Sequence, residues 1–331
     1  MKAKNKGRML LSVILLISLI LSACSRADDM QNMQNTPQDT DTPYDPDLPD
    51  TIRLDENGVP VLKVYVLDEE QTVEMDIESY LRGVLAGEMK NDWPLEALKA
   101  QAILARTFVV KFLSEKQSKY EGADISTDIE EAQAYDAKGV NERIRQAVDE
   151  TRGLIITSQG EPIYAWFHAH SGGKTATAKE GLSYKDEAPY TQTKDSGENN
   201  LADEAAAEWK TDFSADDVIK AAREVGVKID EIESVAIGER GESGRAQTLL
   251  INEQSIPANE MRIALGSSKM RSTLLDSATY KNGTLTLAGK GYGHGVGMSQ
   301  WGAYAMAEAG KDAAQIVHYY FANVDIVQKW Q

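Results

Sequence analysis

Cysteine is nearly absent from the chain: one residue, Cys24, in 331. A single thiol excludes an internal disulfide and any zinc cluster built on cysteines. Histidine is scarce too, with four residues. Basic charge is in deficit, with 35 Lys and Arg against 52 Asp and Glu and a formal net charge of −17. That balance argues against nucleic acid as a main partner, because phosphate binding needs a basic surface. A mean hydropathy of −0.41 excludes a polytopic membrane protein. What is present is ample apolar content: 42% hydrophobic residues exclude a wholly disordered chain. At this length, one large or two modest domains bury a real core.

The amino terminus predicts export. Residues 1–8 carry Lys2, Lys4, Lys6 and Arg8 and no acid, residues 9–21 are apolar apart from two serines, and Ser22-Ala23-Cys24 follows. A basic segment, a short apolar run and small residues before a cut site read as an export signal in residues 1–24. Leu21-Ser22-Ala23-Cys24 also resembles a bacterial lipobox, in which Cys24 would be acylated. The alternative is an uncleaved signal anchor, although the run is short of the ~20 residues that a span needs. Either reading places the rest of the chain outside the cytoplasm, facing the cell wall. Residues 25–58 read as an unfolded tether, since seven aspartates, no basic residue and Pro37, Pro43, Pro46 and Pro49 fall within this stretch between Asp28 and Asp50.

Order is expected from residue 59 to 331, with an α+β fold of helices and mainly antiparallel strands forming a groove-bearing extracytoplasmic domain of two lobes. The β-rich run 59–67 and the alternating Gln71–Met75 predict a hairpin. Ile77 to Leu85 predicts a helix, and a long second helix starts near Pro94 and runs through Phe112. Further helices are expected at 140–152, 215–225, 257–265, 300–309 and 313–321, and strands at 153–158, 162–168, 232–238, 245–252 and 284–288.

Four constellations carry possible chemistry. Glu88 follows an apolar helix face in Arg82-Gly83-Val84-Leu85-Ala86-Gly87-Glu88-Met89. A carboxyl kept from water there has a raised pKa, as a general acid requires. The plain alternative is a solvated or salt-bridged glutamate. Lys99 and Arg106 lie seven apart on one helix face and would steer a carboxylate or hold sugar oxygens, or else stand solvated. The segment 289–303, GKGYGHGVGMSQWGA, matches neither the dinucleotide fingerprint nor the phosphate loop. Its glycines suit close backbone approach to a bulky extended ligand. Ser299 would cap the following helix, and His294 would be a hydrogen-bonder. His168 and His170 alternate, so on a strand they share a face as a possible metal pair, with no Asp, Glu or Cys nearby to complete the set. Ser171-Gly172-Gly173 is a turn that forms an anion-receptive nest.

The segments at 80–89, 93–108, 170–175, 243–245 and 291–303 together resemble the stage II sporulation protein D family. The resemblance covers about residues 59–327 and implies a lytic transglycosylase acting on peptidoglycan strands stripped of stem peptides. It implies Glu88 as catalytic acid, with Lys99, Gln101, Arg106, Ser171, His294, Ser299 and Gln300 lining the cleft. By their ring chemistry Tyr292 and Trp301 would stack on sugar faces, with core packing the equal alternative for Trp301. It further implies the amidase stage II sporulation protein P and the membrane protein stage II sporulation protein M as partners. Residues 123–135 lack the Cys/His set that some clostridial relatives carry, so no metal or other cofactor is expected. Three rival readings remain: a non-catalytic amidase enhancer, a zinc-dependent amidase using His168 and His170, and a scaffold in a membrane complex.

Overall fold

The computed structural model describes residues 42–45, 47–198 and 207–331. The expected export segment, Cys24 and most of the tether lie outside the described residues. A compact unit runs from Pro43 to Gln331. It therefore begins earlier than residue 59: Tyr44 bridges to Gln328, Ile52 is buried and Lys329 Nζ lies 2.6 Å from Asp45 Oδ2. The end of the acidic stretch is thus folded onto the domain, because Ile52 and Leu48 supply apolar contacts within a polar run.

The fold is α+β with mainly antiparallel sheets. β1 (Val61–Val66) and β2 (Gln71–Asp76) form the expected hairpin, and β3 (Ile125–Ser126) joins β1 in parallel. Asp76 caps α1 (Ile77–Glu88) by accepting the Ser79 N–H at 2.9 Å. The helix runs three residues beyond the expected Leu85, so Glu88 is its last residue. α2 (Leu95–Glu115) and α3 (Glu142–Asp149) follow, then β4 (Leu154–Ser158) and β5 (Glu161–Pro162). The strand expected over 162–168 is broken, with only β6 (Phe167–His168) resuming after a loop.

The next run contains α4 (Ala178–Leu182), β7 (Glu208–Ser214), α5 (Ala215–Glu224), β8 (Val235–Ile237), β9 (Thr248–Ile251), β10 (Gln254–Pro257) and α6 (Ala258–Ala264). β11 (Leu275–Lys281) and β12 (Thr284–Lys290) form a hairpin extended by β7. β13 (Met298–Ser299) pairs in parallel with β6 and leads into α7 (Gln300–Glu308) and α8 (Ala313–Tyr320), and β14 (Asp325–Gln328) pairs with β4. α4, β7 and β11 had no counterpart in the sequence reading. No helix among the described residues is long and apolar enough to cross a membrane.

Apolar side chains gather in two main clusters. One surrounds α1, α2 and the carboxy-terminal elements; the other fills the space between the β7–β12–β11 and β8–β9–β10 sheets, α5 and α6. α2 is the axis of the first. Ala97, Ala100, Ala102 and Ala105 with Leu98, Ile103, Leu104, Val109 and Val110 are buried around its circumference, as expected of a helix apolar on all sides. The alanines let α1, α3, α7, α8 and β4 approach closely.

One ion pair sits inside this packing. Arg106 Nη2 lies 2.6 Å from Glu78 Oε2, and Arg106 Nε donates to Glu78 Oε1 at 3.1 Å. Arg106 also donates to the carbonyls of Leu154 and Val148, while Glu78 Oε1 accepts from Gly153 N–H and Trp330 Nε1. Neither side chain is more than 1% exposed. A buried charge left without its partner costs far more than the intact pair contributes. Arg106→Met and Glu78→Leu are each expected to lower unfolding free energy by about 3–5 kcal/mol. The double variant should lose less than the sum of the two. Urea denaturation of the three variants beside the parent checks both statements.

Candidate functional site

The site is built from the end of α1 outward. Gly83 and Gly87 are four apart and so lie on one helix face. A Cβ at Gly83 would overlap the Tyr135 ring, and one at Gly87 would fall 2.6 Å from the Tyr135 backbone nitrogen. The two glycines thus let the 134–135 segment lie against α1. That contact delivers the Ala134 N–H to Glu88 Oε1 at 2.7 Å. The Glu88 carboxyl takes part in no ion pair among the described residues. Withdrawal from water pushes its pKa up to about 7, and the Ala134 hydrogen bond only partly opposes this.

Two amide side chains close around the same helix end. Gln300 Nε2 donates to the Glu88 backbone carbonyl at 3.1 Å and stands 3.5 Å from Gln101 Oε1. Gln101 is fully buried on α2, and its Nε2 has no hydrogen-bond partner among the described residues. Glu88, Gln101 and Gln300 are therefore brought together from three helices. Beyond them, Lys90, Trp93, Pro94, Arg143, Trp301 and Tyr304 line most of an open pocket of about 340 Å³. Its aromatic wall is continuous: Trp93 and Trp301 centroids are 4.7 Å apart, Trp93 and Tyr304 5.0 Å, and Lys90 Nζ lies 5.4 Å from the Trp301 ring centre.

The glycine-rich segment sets α7 in place. Gly291, Gly293, Gly295 and Gly297 all have positive φ. At Gly295 a Cβ would overlap the Arg245 guanidinium, and at Gly297 it would overlap the Trp166 carbonyl oxygen. Neither position admits another residue without moving buried backbone or a buried charge. The segment ends at Ser299, which caps α7 by accepting the Gly302 N–H at 3.2 Å.

Beside this cap lies a second polar cluster. His168 Nδ1 faces the Val296 carbonyl at 3.1 Å and must carry the proton, so Nε2 accepts from the Ser171 hydroxyl at 2.5 Å. Burial, reinforced by His294 and Arg245, holds the His168 pKa well below the usual imidazole range. His294 accepts the Val296 N–H at Nδ1, and burial with the charges of Arg262 and Arg245 pushes its pKa down to about 3. His170 accepts the Gly172 N–H at Nδ1, 2.9 Å away. The two histidines expected to share a face are thus committed to separate partners; no group of three His, Cys, Asp or Glu with metal-holding geometry occurs among the described residues. Tyr292 pairs with His170 through the backbone, and Arg271 lies 5.4 Å from its ring centre.

Two expected cleft residues have other work. Arg106 is consumed by Glu78 in the core. Lys99 Nζ lies 2.8 Å from Glu96 Oε1 and also pairs with Glu150. Burial works against the Lys99 charge, but Glu150 and Glu96 outweigh it and raise its pKa. The positively charged helix face read from their spacing is taken up by three ion pairs, two on Lys99 and one on Arg106, and neither cation contacts the Glu88 carboxyl. Conversely, Ala134 and Glu198 went unnoticed. Glu198 touches Ser171, Gly173, Ser299 and His170. Its only sequence signal is the Ser-Gly turn before it.

A raised carboxyl pKa links to stability. Glu88 binds its proton more tightly in the folded state, so its stabilising contribution is complete below about pH 4.5 and is lost as pH rises through about 7. Glu88→Gln removes this titration. The variant is expected to gain on the parent by about 1–3 kcal/mol between pH 5 and pH 8. Parallel denaturation series across that range check the sign and size.

Comparison with known proteins adds three relations. The family model described as stage II sporulation protein (SpoIID) matches residues 68–158, and a domain of unknown function, DUF8618, matches 177–297. The chain is 32% identical over 301 residues to stage II sporulation protein D of Bacillus amyloliquefaciens, covering 83% of each chain. It is 33% identical over 258 residues to an uncharacterized protein of Brachyspira hyodysenteriae, covering 77% of this chain and 67% of that one. It is also 27% identical over 295 residues to the amidase enhancer of Bacillus subtilis, covering 74% of this chain and 40% of that protein.

Proposed function

The chain belongs to the SpoIID family of stage II sporulation proteins, and from that premise we propose that it is a lytic transglycosylase acting on peptidoglycan glycan strands freed of stem peptides. The observation that carries this reading is the Glu88 carboxyl, half-buried, bonded to the Ala134 N–H and in no ion pair among the described residues; burial pushes its pKa up to about 7. A group so poised is substantially protonated near neutral pH and still basic once it has given its proton away.

Glycoside hydrolases of either stereochemistry commonly need two carboxyl groups, the second to activate water or attack carbon. A transglycosylase closing a ring on its own substrate needs one. Protonated Glu88 gives its proton to the oxygen that leaves as the bond between N-acetylmuramic acid and N-acetylglucosamine breaks. Positive charge develops on the muramic ring. The Glu88 carboxylate then takes the proton of the C6 hydroxyl, whose oxygen bonds to C1. One C–O bond breaks, one forms, the proton returns to Glu88 and no water is consumed; the product ends in 1,6-anhydro-N-acetylmuramic acid.

In this reading the strand lies in a groove past Glu88. Trp301 and Tyr304 offer ring faces for sugar stacking in the adjoining pocket, since aromatic faces pair with the apolar faces of sugars. Gln101, fully buried, supports Gln300 from behind the site with its Oε1 3.5 Å from Gln300 Nε2. The domain works outside the cytoplasm, tethered at its amino terminus by a lipid on Cys24 or by a signal anchor, beside the amidase and the membrane protein of the same sporulation stage.

A second reading is favoured by the relation to the amidase enhancer: a surface that activates an amidase, with Glu88 serving only to bind the Ala134 N–H. Digestion of purified peptide-free glycan strands, with mass spectrometry of the ends released, separates the two. Anhydro ends are expected from the parent, with a rate roughly 10²–10⁴-fold lower for Glu88→Gln and falling above pH 7 as the acid loses its proton. Intact strands, or equal release by the variant, would overturn the enzymatic reading.

A further inference from the structure

We propose that Glu198 is the positioning carboxylate of the Glu88 centre: it locks the Ser171–Gly173 turn to the cap of α7 and so holds Gln300 against the end of α1. The proposal rests on Glu88 being the reacting acid. It concerns a residue that neither composition nor motif singled out.

The geometry is that of a clamp. The Glu198 side chain is 5% exposed. Its Oε1 accepts from the Ser171 N–H and from the Ser299 hydroxyl at 2.5 Å, and its Oε2 accepts from the Gly173 N–H at 2.9 Å. His170 Nδ1 lies 3.3 Å from Oε2. The opposite side of the same turn is gripped by Arg245, which donates to the carbonyls of Ser171 at 2.7 Å and Lys174 at 2.9 Å. A short glycine turn is thus held by an anion on its N–H side and a cation on its carbonyl side. Hydrogen bonds with one ionised member are roughly twice as strong as neutral ones, which suits a segment with two glycines and little side-chain packing of its own.

The clamp reaches Glu88 through direct contacts. The Ser299 hydroxyl gives its proton to Glu198, which leaves a lone pair facing the Gly302 N–H and fixes the first turn of α7. The next residue, Gln300, bonds to the Glu88 carbonyl. Trp301, which follows, donates its backbone N–H to the Ala169 carbonyl at 3.1 Å, so the α7 start is also tied to the strand leading into the clamped turn. Ser171 and Ser299, two of the expected cleft residues, therefore meet on one carboxylate. The ionisable groups around Glu198 are His170, Arg245 and Tyr320, and Glu88 shares its surroundings with Tyr80.

An amide at 198 keeps the size of the side chain but offers one acceptor oxygen in place of two. Glu198→Gln must release at least one backbone N–H, or Ser299, and loosen the start of α7 where Gln300 holds the Glu88 backbone carbonyl. Water then reaches the Glu88 carboxyl and its pKa falls. The test is a carbon-detected NMR titration of the Glu88 carboxyl in the full protein, compared with Glu198→Gln and with Ser299→Ala. The Glu88 pKa is expected to drop by about one unit in Glu198→Gln and by less in Ser299→Ala. The high-pH limb of glycan cleavage should move with it, and kcat should fall about tenfold or more with KM little changed. A role confined to holding the fold would lower Tm and leave the Glu88 titration where it was. An unchanged titration in Glu198→Gln overturns the proposal; if that variant does not fold, an unchanged titration in Ser299→Ala does so. The titration needs no turnover, so an inactive parent protein would count against the transglycosylase reading while the positioning role was still decided.

Discussion

The buried Glu78–Arg106 pair is the joint on which the arrangement depends. Through its hydrogen bonds it ties α1 and α2 to Val148 in α3, to Gly153 and Leu154 at the start of β4, and to Trp330 near the carboxy terminus. It lies near the amino end of α1, while Glu88 closes the other end. Ten residues of helix separate the two carboxylates, about 15 Å at 1.5 Å per residue. The core cation is therefore kept a helix length away from the acid. A guanidinium beside Glu88 would favour its charged form and draw its pKa down. The same helix carries one glutamate bound to a guanidinium in the core and one whose pKa burial raises, and their surroundings separate them.

The division explains what was readable from the residues alone. The hairpin, α1 and α2 declared themselves because their apolar spacing is set by local backbone period. The place of Glu88 at the end of an apolar face was a weak signal that also fitted a solvated glutamate, and its reading as an acid came from the family resemblance. The fates of Lys99 and Arg106 did not, although their spacing correctly put them on one side of α2. Whether a basic residue is solvated, paired or buried depends on carboxylates supplied from elsewhere: Glu78 from 28 residues earlier and Glu150 from 51 residues later. Helix period holds no information about those partners. Ala134 escaped for a related reason, since it acts through a backbone N–H that any residue except proline carries. Its position could be traced only through Gly83 and Gly87, whose missing side chains make room for it.

The glycine-rich segment was recognisable as special, but its cause differs from the one its composition suggested. Close approach of an extended ligand is one use of glycine. Here the contacts that forbid a side chain at Gly295 and Gly297 are internal, to the Arg245 guanidinium and the Trp166 carbonyl. Their work is to thread a chain between a buried cation and a neighbouring strand and deliver Ser299 to the start of α7. The motif is then a device for placing one helix, and its effect on chemistry passes through Gln300 and Trp301.

Glu198 puts a second buried carboxylate near the site, which bears on the class of reaction. A glycosidase that hydrolyses needs its second carboxyl free to polarise water or to attack carbon. Both Glu198 oxygens are already engaged, Oε1 by a backbone N–H and a hydroxyl, Oε2 by a backbone N–H with an imidazole alongside. Releasing it would leave the buried Ser171 N–H without its acceptor, at a cost of about 1–3 kcal/mol. A carboxylate so committed is a poor nucleophile and a poor base. Glu198 is therefore not a second carboxyl free for proton transfer beside Glu88.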